Sequence, residues 1–362
     1  MSETMTVTKE MFHTWAEDEN GPVALCLKQK LLPVEGDGGV VFPPTYANAD
    51  GYLIDDGVVQ MDSVGSQANR LEPVFKSGRP AALVPKVTIK AGDGEVSLLD
   101  VPHRIADALV RCSDAQKIVS EAFSEYQKKG DALRIAKLAP TTLVFGAWDS
   151  RDGGAKLPRL VQSVIRAWGA SELRRAAQFT PAVDYVAIGA ITQEDKKKGE
   201  ENKKSAPAQR GFVHVPSGET PGGVIASGGI WREVLVNLIP LRALKAGDAA
   251  ASPKLRKYVL GLALVAAAMP QDGFLRQGCL LTGDPDAPPH WQAVMRDGTR
   301  SPIALTAEVA LSLAEPAATE FGVGDPHTFT FDKVLAQKDL KEAGKAEKPK
   351  DTKSEAAAAG NK

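Results

Sequence analysis

Residues 62–75, DSVGSQANRLEPVF, place a polar cluster directly before an apolar helix pattern. The first turn of a helix exposes backbone N–H groups and the positive end of the helix dipole, and both attract anions. Arg70 adds a planar guanidinium that suits phosphate. The stretch therefore suits a sugar-phosphate backbone. Its candidate contacts are Ser63, Ser66, Gln67, Asn69 and Arg70.

The same stretch also has a purely structural interpretation. In that interpretation Ser63 or Ser66 caps the helix, Glu72 pairs with Arg70, and nothing binds. The residues alone leave both interpretations open.

Around this stretch, apolar patterns predict strands that alternate with helices. Strands are predicted at 23–34, 81–92, 141–150 (ending in a turn), 182–192, 272–283 and 327–332, and helices at 101–112, 113–130, 156–170, 253–269 and 306–321. Ser113 is the candidate N-cap and Gly130 the candidate stop of the second helix. This alternation indicates an α/β or α+β domain with long insertions.

Residues 156–170, KLPRLVQSVIRAWGA, are predicted to form a helix because their apolar residues recur at helical spacing. On that helix, Arg159 and Arg166 would lie about 10 Å apart on one side. Such a polar ridge could follow an RNA backbone without reading bases, although a solvated helix face is the commoner explanation of this pattern.

Two charged segments lack apolar anchors. Residues 194–209 are predicted to be a mobile charged loop, whose lysines are diluted by neighbouring acids and are interpreted as solvated. Residues 336–362 are predicted to be a disordered tail, or at most a transient helix. The remaining residues, 1–335, are interpreted as one domain with insertions.

The composition argues against a protein with a global positive charge, a disulfide-stabilised or metal-binding protein, and a membrane protein. Lysine plus arginine (44) nearly cancels aspartate plus glutamate (45), so any nucleic-acid contact must be local. Three distant cysteines predict reduced thiols and a cytoplasmic location, and five scattered histidines do not suggest a metal site. The apolar run 258–269 is shorter than the ~20 residues that span a bilayer. We expect no cofactor, no metal and no membrane partner.

Catalytic candidates are few. Asp149 and Asp152, in GAWDSRDGG, are interpreted either as an acid/base or metal pair or as turn residues, and Arg151 between them could touch a ligand. His103 is a candidate base but more often such a residue caps or packs. The glycine-rich stretch 218–229 lacks the Lys-Ser/Thr pair of a P-loop, so it predicts a tight turn or a close backbone approach.

Four stretches together resemble the RAMP-superfamily backbone subunit, a Cas-seven-type protein, of type I-G (formerly type I-U) CRISPR interference complexes. They are residues 62–75, 139–167, 228–244 and 255–264, and the resemblance extends over about residues 20–335. Most of its specificity comes from Ser-Gln-Ala-Asn-Arg at 66–70 combined with Gly-Ala-Trp-Asp-Ser at 146–150.

The resemblance implies an α+β, hand-shaped subunit. Its palm would be an RNA-recognition-motif-like (ferredoxin-like) βαββαβ sheet with inserted fingers and a thumb. Members of this family assemble head to tail along the crRNA and let it pair with a target DNA strand. The implied partners are crRNA, the target strand, further copies of the chain, and other Cascade subunits, namely a fused pre-crRNA-processing/cap subunit and a large subunit. Cleavage belongs to another protein, so the implied role is non-catalytic.

The resemblance also assigns RNA contacts to particular residues. Guide-backbone contacts are implied for Ser63, Ser66, Gln67, Asn69 and Arg70, then for Arg151, Arg159 and Arg166, and a glycine loop near RNA is implied at Gly222, Gly223, Gly228 and Gly229. Two alternatives remain. One is a RAMP endoribonuclease that cuts target RNA with Asp149 or Asp152, and the other is an α/β enzyme that binds a small phosphorylated molecule at the helix start.

Overall fold

The computed structural model describes residues 4–47, 51–151 and 154–346. The strands are β1 (Met5–Thr6), β2 (Ala24–Pro33), β3 (Ile54–Asp55), β4 (Val58–Asp62), β5 (Val87–Ala91), β6 (Gly94–Ser97), β7 (Ala147–Trp148), β8 (Lys156–Leu157), β9 (Val161–Trp168), β10 (Ala170–Phe179), β11 (Val215–Ala226), β12 (Ile230–Asn237), β13 (Phe274–Arg276), β14 (Cys279–Gly283), β15 (His290–Val294), β16 (Arg300–Ala304) and β17 (His327–Thr330).

The helices are α1 (Lys9–Glu17), α2 (Val64–Leu71), α3 (Ala108–Arg111), α4 (Gln116–Lys129), α5 (Leu133–Leu138), α6 (Thr141–Phe145), α7 (Gln193–Glu201), α8 (Ala206–Gln209), α9 (Leu238–Arg242), α10 (Ala251–Ala268), α11 (Ala307–Phe321) and α12 (Lys333–Ala346). Short 3-10 turns lie at Glu72–Lys76, Arg79–Leu83, Leu98–Asp100 and Arg104–Ala106.

The fold is α+β and is organised by one large sheet. Its central strands run in the order β15-β2-β12-β9, and each neighbouring pair is antiparallel. The chain passes from β2 through α2 to α6 into β9, and from β12 through α10 into β15. Each of these passages joins two strands that have one other strand between them. The result is a βαββαβ path, with β4 and β3 added at one edge and β16 and β1 at the other.

One face of this sheet is packed against helices. Leu25 of β2, Val161 of β9 and Val234 of β12 belong to the same hydrophobic core as α10. Helix α10 is buried almost all round from Leu255 to Ala267, so it has no solvent face. The predicted buried helix at 253–269 is therefore confirmed, and burial on all sides explains its uninterrupted apolar sequence.

The predicted helix at 156–170 is wrong, because residues 161–168 form the strand β9. This strand lies between β12 and β4, and its side chains alternate between the two faces of the sheet. A central strand buries residues on both faces, and Val164 is buried on the otherwise open one. The apolar positions of such a strand can coincide with a helical period, so the pattern alone could not separate the two.

Three other predicted elements also differ from the structure. Residues 141–145 form the buried helix α6 rather than a strand, and Gly146 ends it with a φ of 75°. The segment 182–192 forms turns, because the Asp184 side chain accepts from the backbone N–H groups of Val186 and Ala187. Residues 101–112 form a 3-10 turn and the short α3, separated where Asp107 caps Leu109.

The strands β10 and β11 continue the β9–β12 hairpin into a long two-stranded arm. The segment predicted as a mobile charged loop, 194–209, lies at the end of this arm and contains α7 and α8. Thr192 and Asp195 form a capping box at the start of α7, which explains how so charged a sequence begins a helix.

The structure describes residues 336–346 of the predicted tail. Residues 333–346 form α12, so the stretch from 336 to 346 is helical, and residues 347–362 lie outside the described part of the chain. Among the described residues, none of the helices combines the length and apolar character needed to cross a bilayer. The three cysteines are free thiols. In the described segments, no group of three or more His, Cys, Asp or Glu side chains is arranged to hold a metal ion.

Candidate nucleic-acid interface

The polar stretch 62–75 lies at the junction of β4 and α2, beside β9. Ser63 is the N-cap of α2, and its Oγ accepts from the Ser66 backbone N–H at 3.1 Å. The predicted capping role of Ser63 is therefore confirmed. Ser66 is half-buried and Asn69 is exposed, so both side chains can be reached from solvent. RNA contacts by Ser63, Ser66 and Asn69 remain predictions.

Gln67 is fully buried, so the structure contradicts its predicted contact with RNA. Its Nε2 donates to Asp62 Oδ2 at 2.6 Å, and its Oε1 accepts from Ser163 Oγ at 2.7 Å. Ser163 Oγ in turn accepts from Arg232 Nε at 3.3 Å. These four side chains form a continuous chain of hydrogen bonds beneath the sheet. The role of Gln67 is to join α2 to β9.

Arg70 is also used mainly within the protein. Its Nε lies 3.1 Å from Asp62 Oδ2, and its Nη1 and Nη2 donate to the carbonyl oxygens of Phe274 (3.1 Å) and Leu275 (2.6 Å). These bonds occupy each nitrogen of the guanidinium, although 35% of the side chain is exposed. The predicted pairing of Arg70 with Glu72 is wrong, because Glu72 contacts Arg104. Arg70 therefore holds β13 against α2.

A cleft next to α2 is lined by several cationic side chains around an exposed tryptophan. We call it the Trp148 cleft; it has a volume of about 470 Å³ and is lined by Pro102, His103, Arg104, Gly146, Ala147, Trp148, Lys156, Leu157 and Arg159. The hairpin β7–β8 pairs Trp148 with Lys156, whose Nζ lies 5.6 Å from the indole centroid. Trp148 is 64% exposed, which leaves the indole open to a stacking partner.

The floor of the Trp148 cleft is a buried ion pair. Arg104 Nε lies 2.9 Å from Glu72 Oε2, and Arg104 Nη2 is buried with no hydrogen-bond acceptor among the described residues. Burial raises the pKa of the Glu72 carboxyl to about 7, and burial lowers the pKa of Arg104. Arg104 also has a φ of 54°, a strained value for a residue with a side chain. The pair fixes a guanidinium beneath the cleft, with its charge offset by the Glu72 carboxyl.

Arg159 connects this cleft to the helix start. Its Nη2 lies 4.0 Å from the point that a Cβ on Gly65 would occupy, in the first turn of α2. Neither Arg159 nor Lys156 forms an ion pair with any residue that the structure describes. The positive end of α2 and two unneutralised cations therefore adjoin one another. Such a surface favours an anion.

Arg166 lies elsewhere, on the face of the sheet opposite to α10. Because β9 is a strand, Arg159 and Arg166 do not form one ridge; Arg166 Nη1 donates to Glu233 Oε2 at 2.9 Å. We call this face the open face and define it by Lys28, Gln162, Arg166, Trp231, His290 and Arg300, which are half-buried or exposed. Lys28 Nζ lies 4.6 Å from the Trp231 ring. A groove on the open face is lined by Arg166, His290 and Arg300. Val64 of α2 lines this groove too, so the open face adjoins the helix start.

Arg151 forms an ion pair with Asp339 of α12. Its Nε and Nη2 donate to the Asp339 carboxylate at 3.0 Å and 2.6 Å, and Cys112 Sγ lies 3.9 Å from the same group. The predicted RNA contact of Arg151 would therefore compete with this ion pair.

Replacing Asp339 with asparagine should loosen α12. We expect amide hydrogen exchange in residues 333–342 to rise about two- to fivefold at neutral pH, as for a partly exposed ion pair. Arg151 lowers the pKa of Asp339, so the carboxylate stabilises the contact above the ordinary pKa of aspartate. That stabilisation is lost as pH falls through the lowered value, so wild-type α12 should loosen below about pH 4. Glu342→Gln, in an exposed pair on the same helix, is the control and should change exchange less.

The glycine-rich stretch forms a strand and a turn. Gly228 and Gly229 lie in the tight turn between β11 and β12, where Gly228 N–H donates to the Trp168 carbonyl at 2.8 Å. A Cβ on Gly229 would lie 3.2 Å from Trp231 Nε1. In β11, Gly223 has a φ of 101° and a Cβ there would lie 3.1 Å from the Val41 carbonyl oxygen. Both predicted roles, a turn and a close approach, are present, and RNA contacts here remain predictions.

The catalytic candidates differ in their positions. Asp149 is fully buried and lies 3.5 Å from Arg111 Nη2, so it does not face a substrate strand. Asp152 lies outside the described residues. His103 is exposed at the rim of the Trp148 cleft.

Sequence reasoning singled out His103 and Arg159 of this cleft but assigned no role to Trp148, Lys156 or Arg104. Trp148 was treated as part of a strand, and neither Lys156 nor Arg104 was singled out. A signal was present, because a tryptophan next to turn-forming Asp and Ser residues is unusual unless the ring serves a surface. Arg104 gave no comparable signal, since its position depends on the fold.

Comparison with known proteins adds one finding. Residues 25–172, less than half of the chain, match the model of a family described as CRISPR-associated protein GSU0053. This segment runs from β2 into β10 and includes α2 and the Trp148 cleft. No curated protein matches the chain closely enough to count as a relative. Over this segment the chain is similar to that family.

Proposed function

We propose that this chain is a non-catalytic crRNA-binding backbone subunit of a type I-G CRISPR Cascade complex. In this role, copies of the chain line up along the guide RNA in the cytoplasm, together with the other Cascade subunits. They hold its phosphates while the guide pairs with a target DNA strand. The proposal rests on the local charge distribution, on the fold and on the family match.

The observation that carries the proposal is the position of Arg159. It places an unneutralised guanidinium between the positive end of α2 and the Trp148 cleft. Single-stranded nucleic acid is bound by cations that follow its backbone and by aromatic rings on which its bases stack. Lys156, Arg159 and Trp148 supply both kinds of group within one cleft. A near-neutral chain can therefore still bind RNA at one place.

The strand order supports the palm that the sequence resemblance implies. A βαββαβ path with antiparallel order β15-β2-β12-β9 is the arrangement of an RNA-recognition-motif-like sheet. In that arrangement the face without helices carries the ligand-binding aromatic and basic side chains. Here the open face carries Trp231 and Lys28 in contact, with Arg300 on the same face. We propose that this face is the second part of the RNA path.

The proposal is tested by co-expressing the chain with a guide RNA. The purified material should carry RNA, show a raised ratio of absorbance at 260 and 280 nm, and form filaments or rings of several copies in negative-stain images. Monomers free of nucleic acid, obtained with guide present, would contradict the proposal. Incubating the assembly with labelled complementary RNA and Mg²⁺ tests the endoribonuclease alternative, which unchanged RNA would remove.

Replacing Trp148 with alanine should weaken binding of single-stranded RNA. Loss of one stacking platform is worth about 1 kcal/mol or somewhat more, so we expect an affinity about five- to tenfold lower. Because Trp148 is exposed, the free energy of unfolding should change little. Trp148→Phe keeps an aromatic surface and should recover most of the affinity in fluorescence anisotropy. Equal affinity of the alanine variant and wild type would remove Trp148 from the RNA path.

A further inference from the structure

A cavity of about 770 Å³ lies on the helix-covered side of the sheet, away from the Trp148 cleft. Its floor consists of residues from β2, β9 and β12, and its roof consists of residues 268–273 with the β13–β14 hairpin. We call it the Arg232 cavity. Most of its lining is apolar, including Leu31, Ile165, Leu281 and Trp291.

One charged side chain is built into the floor of this cavity. Arg232 is 5% exposed, and its Nη1 and Nη2 donate to Gln29 Oε1 (3.3 Å) and to the Ala267 carbonyl (3.0 Å). Its Nε donates to Ser163 Oγ, and the Gln271 amide lies within 3.1 Å of the same atom. All of these partners are neutral. Asp272 also lines the cavity, and its Oδ1 accepts from the Phe274 backbone N–H, but no carboxylate of the described residues forms an ion pair with Arg232.

A buried guanidinium without a counter-charge is unusual because removing its charge from water is costly. Burial lowers the pKa of Arg232 to about 10, which still leaves it charged at neutral pH. The Ala267 carbonyl is near the C-terminus of α10 and supplies only a partial negative charge. The cavity therefore offers a desolvated cation that lacks a full anionic partner.

The walls define the chemistry of a ligand. A cavity of this size and apolar character suits a small organic molecule, and a single buried cation orients one anionic group. Phosphate and nucleic acid carry too many charges for these walls. The protein partners of Arg232 leave one Nη1 hydrogen unused, so a carboxylate can accept from Nη1 while its apolar body fills the rest of the cavity.

We infer that the Arg232 cavity binds an organic carboxylate with an apolar body, such as a medium-chain fatty acid, with its carboxylate on Arg232. The inference is independent of the proposed RNA-binding function. Gln29 and Gln271 flank the guanidinium and hold it in place, and Thr282 and Thr306 add hydroxyl groups to the lining.

The test compares three probes by calorimetry and thermal unfolding of the full chain without guide RNA. The probes are decanoate, decanol and decyltrimethylammonium, each below the concentration at which it forms micelles. Wild type should bind decanoate at least about tenfold more tightly than decanol, because only the acid supplies the missing charge. The cationic probe should not bind. Equal binding of acid and alcohol, or no binding of decanoate, would overturn the inference.

Two variants distinguish the contribution of the Arg232 charge from that of the cavity volume. Arg232→Met keeps the volume but removes the charge, and it should abolish the preference for decanoate over decanol. Ala268→Phe keeps Arg232 but narrows the cavity at the end of α10, and it should weaken decanoate binding about tenfold or more. If Arg232→Met does not fold, the Ala268 variant still decides, since unchanged binding there would place decanoate outside the cavity.

Discussion

Replacing Gln67 with leucine is expected to lower the free energy of unfolding by about 2–4 kcal/mol. The substitution removes both of its hydrogen bonds, to Asp62 and to Ser163. Leucine fills a similar volume but cannot pair, so the buried Ser163 O–H loses its acceptor, and Asp62 Oδ2 keeps only its contact with Arg70. Unpaired buried polar groups cost more than the hydrogen bonds contributed.

Urea unfolding followed by circular dichroism measures this loss. Asn69→Ala on the same helix is the matched control, because Asn69 is exposed, and it should change stability by about 0.5 kcal/mol or less. At temperatures where the Gln67 variant is folded, its affinity for RNA should equal that of wild type. A loss of RNA affinity in a stably folded variant would show that Gln67 contributes to RNA binding. A stability change no larger than that of the control would show that the buried hydrogen-bond chain contributes little.

Reversing the charges of Lys156 and Arg159 together should weaken binding of single-stranded RNA by roughly 30- to 300-fold. Both side chains are exposed, and neither pairs with a carboxylate of the described residues, so each can contact phosphate. Their removal should also reduce the salt dependence of binding, by about 0.7 for each lost phosphate contact in a plot of log affinity against log salt. The effect should not depend on the RNA sequence, since phosphate contacts carry no base information.

The control for that variant carries the same change in net charge. Lys117→Glu with Lys128→Glu reverses two exposed lysines of α4, outside the Trp148 cleft. Fluorescence anisotropy at several salt concentrations should separate the two double variants clearly. Equal losses of affinity would mean that only the overall charge matters, and the cleft would then have no special role.

The patterns that predicted well were those that depend on neighbours in the chain. The strand at 23–34, the buried helix at 253–269 and the helix at 306–321 correspond to β2, α10 and α11. Gly130 ends α4 in the left-handed region, as the candidate stop required, whereas the N-cap of α4 is Ala115 and not the predicted Ser113. Caps and long apolar runs act over a few residues, so they can be recognised without the fold.

Some residues of the candidate site have structural roles that the sequence did not indicate. The stretch 62–75 does begin a helix with a polar cap at Ser63. Two of its residues, Gln67 and Arg70, are bonded to β9 and to β13, which lie far away in the sequence. Polar side chains suit an RNA backbone and a buried network equally well. Burial, which distinguishes the two, is a property of the whole structure.

The amino-acid sequence by itself determined the α+β character, the helix start at Ser63, the absence of any global positive charge, and the resemblance to a CRISPR-associated family. Only the tertiary structure decided that residues 161–168 are a central strand, that Arg159 faces the Trp148 cleft, and that Arg232 is buried without a counter-charge. The physical reason is that caps and hydrophobic runs are local interactions. Burial and charge pairing, in contrast, depend on which distant segments the sheet brings together.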